Sequence, residues 1–148
     1  MADLIALDEK TFVAGQIQPD DVQEIAALGI KLIVNNRPDG EAFQGQPAAR
    51  DIETEAARHG LAFVNLPFTM ATLTPEHVAA FAEILNGADG QILAYCRTGN
   101  RCSLLWAAAN VALGAPLEAV IEQAMEAGYD LRPAAQLLHD LGNSTVVE

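Results

Sequence analysis

At 148 residues and 51% apolar, the chain can bury one core, and it is read as a single domain over residues 1–148. Eight basic residues against 20 acidic ones give a formal charge of −12, which argues against nucleic acid and against an anionic membrane surface as partners. The opening "MADLIALDEK" carries acids and lacks the apolar core of a leader. The most apolar run, 104–113, is about half the length of a bilayer span. The chain is therefore expected to work in the cytoplasm, where its two cysteines stay reduced.

The elements follow in chain order. "TFVAG" predicts a short strand ending at Gly15. "PDDVQEIAALG" has helical spacing in Val22, Ile25, Ala26 and Leu28, with acids at its positive end and Gly29 as a stop. "IKLIVNN" reads as a strand closed by the turn-forming "RPDG". "PAARDIETEAARHG" reads as a helix between Pro47 and Gly60, and "LAFVNLP" as the next strand. "TPEHVAAFAEILNG" is a helix with Thr74 as N-cap and Pro75 first, and "QILAY" is a buried strand. Helices over about 102–113, 116–127 and 133–141 complete the chain. Strands alternating with helices predict an α/β domain with a mostly parallel central sheet flanked by helices.

The informative stretch is "ILAYCRTGNRCSLLW", residues 92–106. In such a sheet, sites lie beyond the carboxyl ends of the strands. Cys96 comes directly after a strand, and the following helix starts just past Arg101. Its N–H groups and dipole favour an anion there. Gly99 allows a tight turn that aims several amides inward, while Arg97 and Arg101 add charge. No acid occurs between Gln91 and Leu117. This setting favours the Cys96 thiolate as nucleophile, with Arg101 as anion clamp. Core packing alone does not ask for two arginines and a glycine beside a cysteine. For Cys102, inside an apolar helix, packing is the preferred explanation. Arg97, Thr98, Gly99, Asn100, Cys102 and Arg37 form the candidate anion-binding set. His59, His77 and His139 are scattered, so no metal site is expected, and no cofactor is implied.

"AYCRTGNRCS" resembles the active loops of rhodanese-type sulfurtransferases and of cysteine-dependent phosphatases. The upstream "FVAGQIQPDDVQEIAALGIKLIVNNRPDGE" resembles the N-terminal half of dual-specificity-phosphatase-like domains. Together, over roughly residues 5–141, they resemble the bacterial beta-lactamase-hydrolase-like, phosphatase-like domain family. The resemblance implies a phosphatase-like catalytic domain with Cys96 as nucleophile and Arg101 as anion clamp. Some members are fused to a metallo-beta-lactamase-like persulfide dioxygenase domain, whose histidines are not expected in this sequence. That context implies sulfide-oxidation enzymes as partners.

Three features separate this sequence from phosphatases. Those enzymes place five residues between cysteine and arginine, whereas four stand between Cys96 and Arg101, the rhodanese-type length. Losing one residue removes an amide and up to about 3.5 Å of contour, which suits one sulfur better than a phosphoryl group. Tyr95 stands where phosphatases usually carry histidine. The segment "NLPFTMATLTPEH" lacks the aspartate that would protonate a leaving ester oxygen, leaving Asp39 and Glu41 as candidate general acids. Sulfur transfer between thiols needs no strong acid. The leading expectation is therefore a sulfurtransferase working through a Cys96 persulfide, with a small anionic sulfane-sulfur donor and a thiol acceptor. A phosphomonoesterase is the alternative, and a non-enzymatic anion- or persulfide-binding module is a third reading. Cys102, where both relatives usually carry serine or threonine, is also a candidate resolving thiol.

Overall fold

The computed structural model describes residues 3–147. Within them, β1 (Ile5–Ala6), β2 (Thr11–Ala14), β3 (Ile30–Asn35), β4 (Ala62–Asn65) and β5 (Gln91–Tyr95) form one sheet. The strand order is β1-β2-β5-β3-β4, and every pairing is parallel except that of β1 with β2. β5 is central and buried on both faces, which explains its unbroken apolar run. Ile92, Ala94 and Cys96 face one apolar cluster, while Leu93 and Tyr95 face the other.

Helices cover both faces. α1 (Val22–Ala27) and α2 (Ala49–Arg58) pack Val22, Ile25, Ile52 and Ala56 against the side of Leu93 and Tyr95. On the other side lie α3 (Pro75–Gly87), α4 (Asn100–Ala112), α5 (Leu117–Glu126) and α6 (Ala135–Ser144). α4 is the middle of that layer and touches α3, α5 and α6. Eight consecutive residues, Cys102 to Ala109, are buried, so this helix is apolar all round rather than amphipathic. Truncating a leucine as buried as Leu105 typically costs about 2–5 kcal/mol.

The alternation of elements follows the expected order, and the differences lie at the ends. The helix expected across "PDDVQEIAALG" is split, with a 3₁₀ turn over Pro19–Asp21 preceding α1. There the Asp21 carboxylate accepts the Gln18 N–H at 2.8 Å, tightening the entry turn. α2 starts at Ala49 rather than Pro47, and α4 starts at Asn100. The last helix opens with a 3₁₀ turn over Arg132–Ala134. The two-residue β1 had no periodicity long enough to announce it. His77 has a structural use, its Nδ1 accepting the Thr74 N–H at 3.1 Å at the start of α3.

Candidate active site

The sheet itself sets the position of Cys96. Its N–H donates to the Ala14 carbonyl at 3.2 Å, and the Asn36 N–H donates to the Tyr95 carbonyl at 2.9 Å. The ladder thus runs on past both neighbouring strands, and the loop starts from a fixed edge. Arg97 turns its carbonyl outward to the Gln16 N–H at 3.4 Å. A Cβ on Gly15 would stand 2.9 Å from that carbonyl oxygen, so a glycine has to follow β2 for the two backbones to meet. Gly99 then takes the left-handed conformation (φ 89°) and starts α4. Its carbonyl accepts the Ser103 N–H at 3.0 Å and the Ser103 hydroxyl at 2.9 Å.

Inside this turn lies the Cys96 sulfur, buried and unbridged. The Gly99 N–H donates to it at 3.1 Å. The Cys102 thiol is the largest influence that draws its pKa down, from a usual 9.0 to about 5. Burial opposes the shift, and the backbone N–H groups of Cys102, Thr98 and Gly99 reinforce it. Cys102 moves the opposite way, well above its usual value, because it is buried and lies beside the Cys96 charge. At neutral pH the pair is one thiolate and one thiol. Cys102 itself is fully in the core, within the influence of the Cys96 charge.

A depressed folded-state pKa means that the unfolded chain binds the extra proton between the two values, so stability rises with pH there. The contribution of Cys96 is complete above about 9 and is lost as pH falls to about 5. Unfolding titrations of the parent and a Cys96→Ser variant should therefore diverge progressively across that window. Parallel curves between pH 5 and 9 would contradict a depressed thiol.

Arg101 reaches over the loop into a network of its own. Its guanidinium forks onto Glu41 at 2.7 and 2.8 Å and donates to the Phe68 carbonyl at 3.0 Å. Arg37, buried at the end of β3, donates to Glu41 at 3.0 Å and to the Gln16 side chain at 3.0 Å. Glu41 is held below the usual carboxylate range, chiefly by Arg101 and also by Arg37, against the effect of burial. The geometry makes Glu41 an ionised bridge between two arginines. Asp39 is directed elsewhere, its carboxylate accepting the Ala49 N–H at 2.8 Å at the start of α2.

Two clefts open beside the loop. One of about 460 Å³ is lined by Arg37, Glu41, Ala42, Arg97 and Arg101. The other, of about 420 Å³, is lined by Thr69, Met70, Arg97, Thr98, Asn100 and Arg101. A larger depression of about 600 Å³ lies at the opposite end of the sheet among residues 6–10 and Gln123. It holds no thiol, and its Asp8 is occupied by the Trp106 indole N–H at 3.0 Å and two backbone N–H groups.

The structure thus gathers Cys96, Arg97, Thr98, Gly99, Asn100, Arg101, Cys102, Arg37 and Glu41 beyond the carboxyl ends of the central strands, while one Asp39 carboxylate oxygen is taken by the Ala49 N–H. Four participants were missed by the sequence reasoning. Gln16 had a signal, since it follows a strand-ending glycine on the site side of the sheet. The Phe68 carbonyl, Ser103 and Tyr129, whose hydroxyl donates to the Thr98 carbonyl at 3.2 Å, had none.

The family model of the beta-lactamase hydrolase-like protein, phosphatase-like domain, matches residues 3–114. The chain belongs to this family. A beta-lactamase hydrolase-like protein of Xylella fastidiosa (strain Temecula1) is 29% identical to it over 136 residues, covering 91% of the chain and 31% of the relative. The chain therefore spans about a third of the length of that relative. Among solved structures, a candidate phosphatase of Neisseria meningitidis Z2491 is 36% identical, with a TM-score of 0.81 over 93% of this chain and 96% of that one. PTPMT1 shares 13% identity and a TM-score of 0.74 over 96% and 95% of the two chains. That likeness shows a common fold: this phosphatase-like domain has the architecture of protein-tyrosine and dual-specificity phosphatases. Residues 115–147, including α5 and α6, lie beyond the matched segment.

Proposed function

We propose that this phosphatase-like domain transfers sulfane sulfur through Cys96. The Cys96 thiolate attacks the outer sulfur of an anionic donor such as thiosulfate. A new S–S bond forms at Cys96, and the donor S–S bond breaks with its electron pair leaving on sulfite. An acceptor thiolate then attacks the outer sulfur of the Cys96 persulfide, takes it away, and restores the Cys96 thiolate. The leaving groups in both steps are weak bases, so neither step requires a proton donor. Arg101 and Arg97 would orient the anionic donor from the two clefts.

The observation that supports this reading is the use made of the two candidate acids. Glu41 is paired with Arg101 and Arg37, and Asp39 holds the first turn of α2. Neither is poised to protonate the alkoxide that leaves a phosphoester. The four-residue spacing between Cys96 and Arg101 supports the same reading.

The comparisons favour a second reading, cysteine-dependent phosphoester hydrolysis, through the shared fold and the Neisseria meningitidis relative. In that case Cys96 would take the phosphoryl group and water would release it.

Intact-mass analysis and product release separate the two. Thiosulfate should add one sulfur at Cys96, and a thiol should discharge it. A phosphoester should yield no phosphate. Rapid phosphate release without a sulfur adduct would overturn the proposal in favour of the second reading. A stable adduct that no thiol discharges would reduce the protein to a binding module. Glu41→Gln should lower transfer by about tenfold by loosening Arg101, while leaving the pH dependence unchanged. Loss of an alkaline limb in that variant would instead mark Glu41 as an acid.

A further inference from the structure

Tyr129 lies outside the matched segment, in the turn after α5, yet it reaches the active loop. Its hydroxyl donates to the Thr98 carbonyl at 3.2 Å, and the Gly99 N–H donates to the Cys96 sulfur at 3.1 Å. These two groups are the ends of one peptide unit. A trans peptide points its carbonyl and its N–H in opposite directions, so fixing one end aims the other. We propose that Tyr129 is a positioning residue for the nucleophile: its hydroxyl holds the Thr98–Gly99 peptide so that the Gly99 N–H stays on the Cys96 sulfur.

The preceding peptide is handled the same way. The Arg97 carbonyl is held outward by the Gln16 N–H, and the Thr98 N–H at the other end of that peptide is among the groups that draw the Cys96 thiol down. Gln16 lies just after β2 and Tyr129 in the turn after α5, so two distant parts of the chain grip consecutive peptides from outside. The grip at Thr98 is needed because glycine follows. Gly99 accepts either sign of φ at little cost, so sterics alone do not prevent this peptide from flipping. The ring is seated for the task. A Cβ on Gly99 would overlap the Tyr129 hydroxyl, and the Tyr129 N–H is anchored to the Ala124 carbonyl at 2.9 Å. Burial, then the negative charge carried by the Cys102 and Cys96 pair, pushes the phenol above its usual range and keeps it a neutral donor. A hydrogen bond on the carbonyl also polarises the N–H of the same peptide, strengthening its bond to sulfur.

The inference rests only on Cys96 acting as a thiolate, and its test uses no sulfur donor or phosphoester, so it stands or fails separately from the proposed function. The test is the rate of Cys96 alkylation by iodoacetamide against pH, together with the Gly99 amide proton resonance. Tyr129→Phe keeps the ring and removes the hydroxyl. The alkylation midpoint should rise by about half to one pH unit, the effect of one neutral hydrogen bond, and the Gly99 amide proton should move upfield. Replacing Tyr129 with 3-fluorotyrosine gives a stronger donor on the same ring and should move both readings the other way. A purely packing role would lower the thermal midpoint and leave the alkylation midpoint in place, which would overturn the proposal. So would a changed midpoint with an unmoved Gly99 amide. Should Tyr129→Phe fail to fold, the fluorinated protein decides the question alone.

Discussion

Cys96→Ser is expected to abolish group transfer, by about 10⁴-fold or more, with the fold intact. The cradle draws the Cys96 thiol down to about 5 from a usual value of 9.0. An alcohol starts so much higher that the same hydrogen bonds leave it protonated at any working pH, and a neutral hydroxyl is a poor nucleophile. The contrast is Cys102→Ser, where a hydroxyl replaces a buried thiol that helps to draw the Cys96 pKa down. That variant should retain most of the activity. Transfer rates measured on both, with circular dichroism to confirm folding, make the comparison. More than a few per cent of activity left in Cys96→Ser would remove Cys96 from the chemistry, and complete loss in Cys102→Ser would make Cys102 a reacting group.

The next largest effect is expected at Gly99. Gly99→Ala places a side chain at φ 89°, a conformation that costs a non-glycine residue about 1–2 kcal/mol, and drives it into the Tyr129 hydroxyl. Relief by moving the loop also moves the Gly99 N–H off the Cys96 sulfur. A displacement of about 1 Å at such a site is enough for a loss of roughly 10²-fold in transfer. Gly114→Ala provides the control. Gly114 has φ 104° but open space around its missing side chain, and it lies far along the chain from the loop. It should lose comparable stability and keep full activity. Equal activity losses in the two variants would show that general destabilisation, rather than the geometry of the cradle, sets the rate.

The layout of the fold was legible because proline and glycine mark its joints and because β5 is apolar on both faces. Thr74–Pro75 before α3 and Gly60 after α2 announce boundaries through local backbone preference, which a sequence displays directly. The conformation of the cysteine loop was legible for the same reason: strand, cysteine, glycine and helix are contiguous. What Glu41 does was not. Its partner Arg101 lies 60 residues away, and only the parallel register of β3 beside β5 brings the two together. Read in isolation, a carboxylate after a strand is a candidate acid; read beside two guanidiniums, it is an ionised strut. Tyr129 was out of reach altogether, since its approach to Thr98 depends on how α5 packs against α4. The split of α1 from its 3₁₀ turn turned on one side-chain hydrogen bond within an otherwise continuous helical pattern.

The burial of α4 also determines how the site can move. The first turn of this helix completes the cradle, and the next two turns form the centre of the larger core. Opening that first turn without disturbing the rest would expose Cys102, Ser103 and Leu104 together. Amide protons at positions 102–104 should therefore exchange with solvent only through global unfolding, as slowly as those of β5. The segment from Gly40 to Gln46, by contrast, has no regular structure and carries a fully exposed Phe43, so its amides should exchange within ordinary local fluctuations. Any breathing that admits a substrate belongs to that rim, while the sulfur and its donors stay locked to the slowest-exchanging part of the molecule.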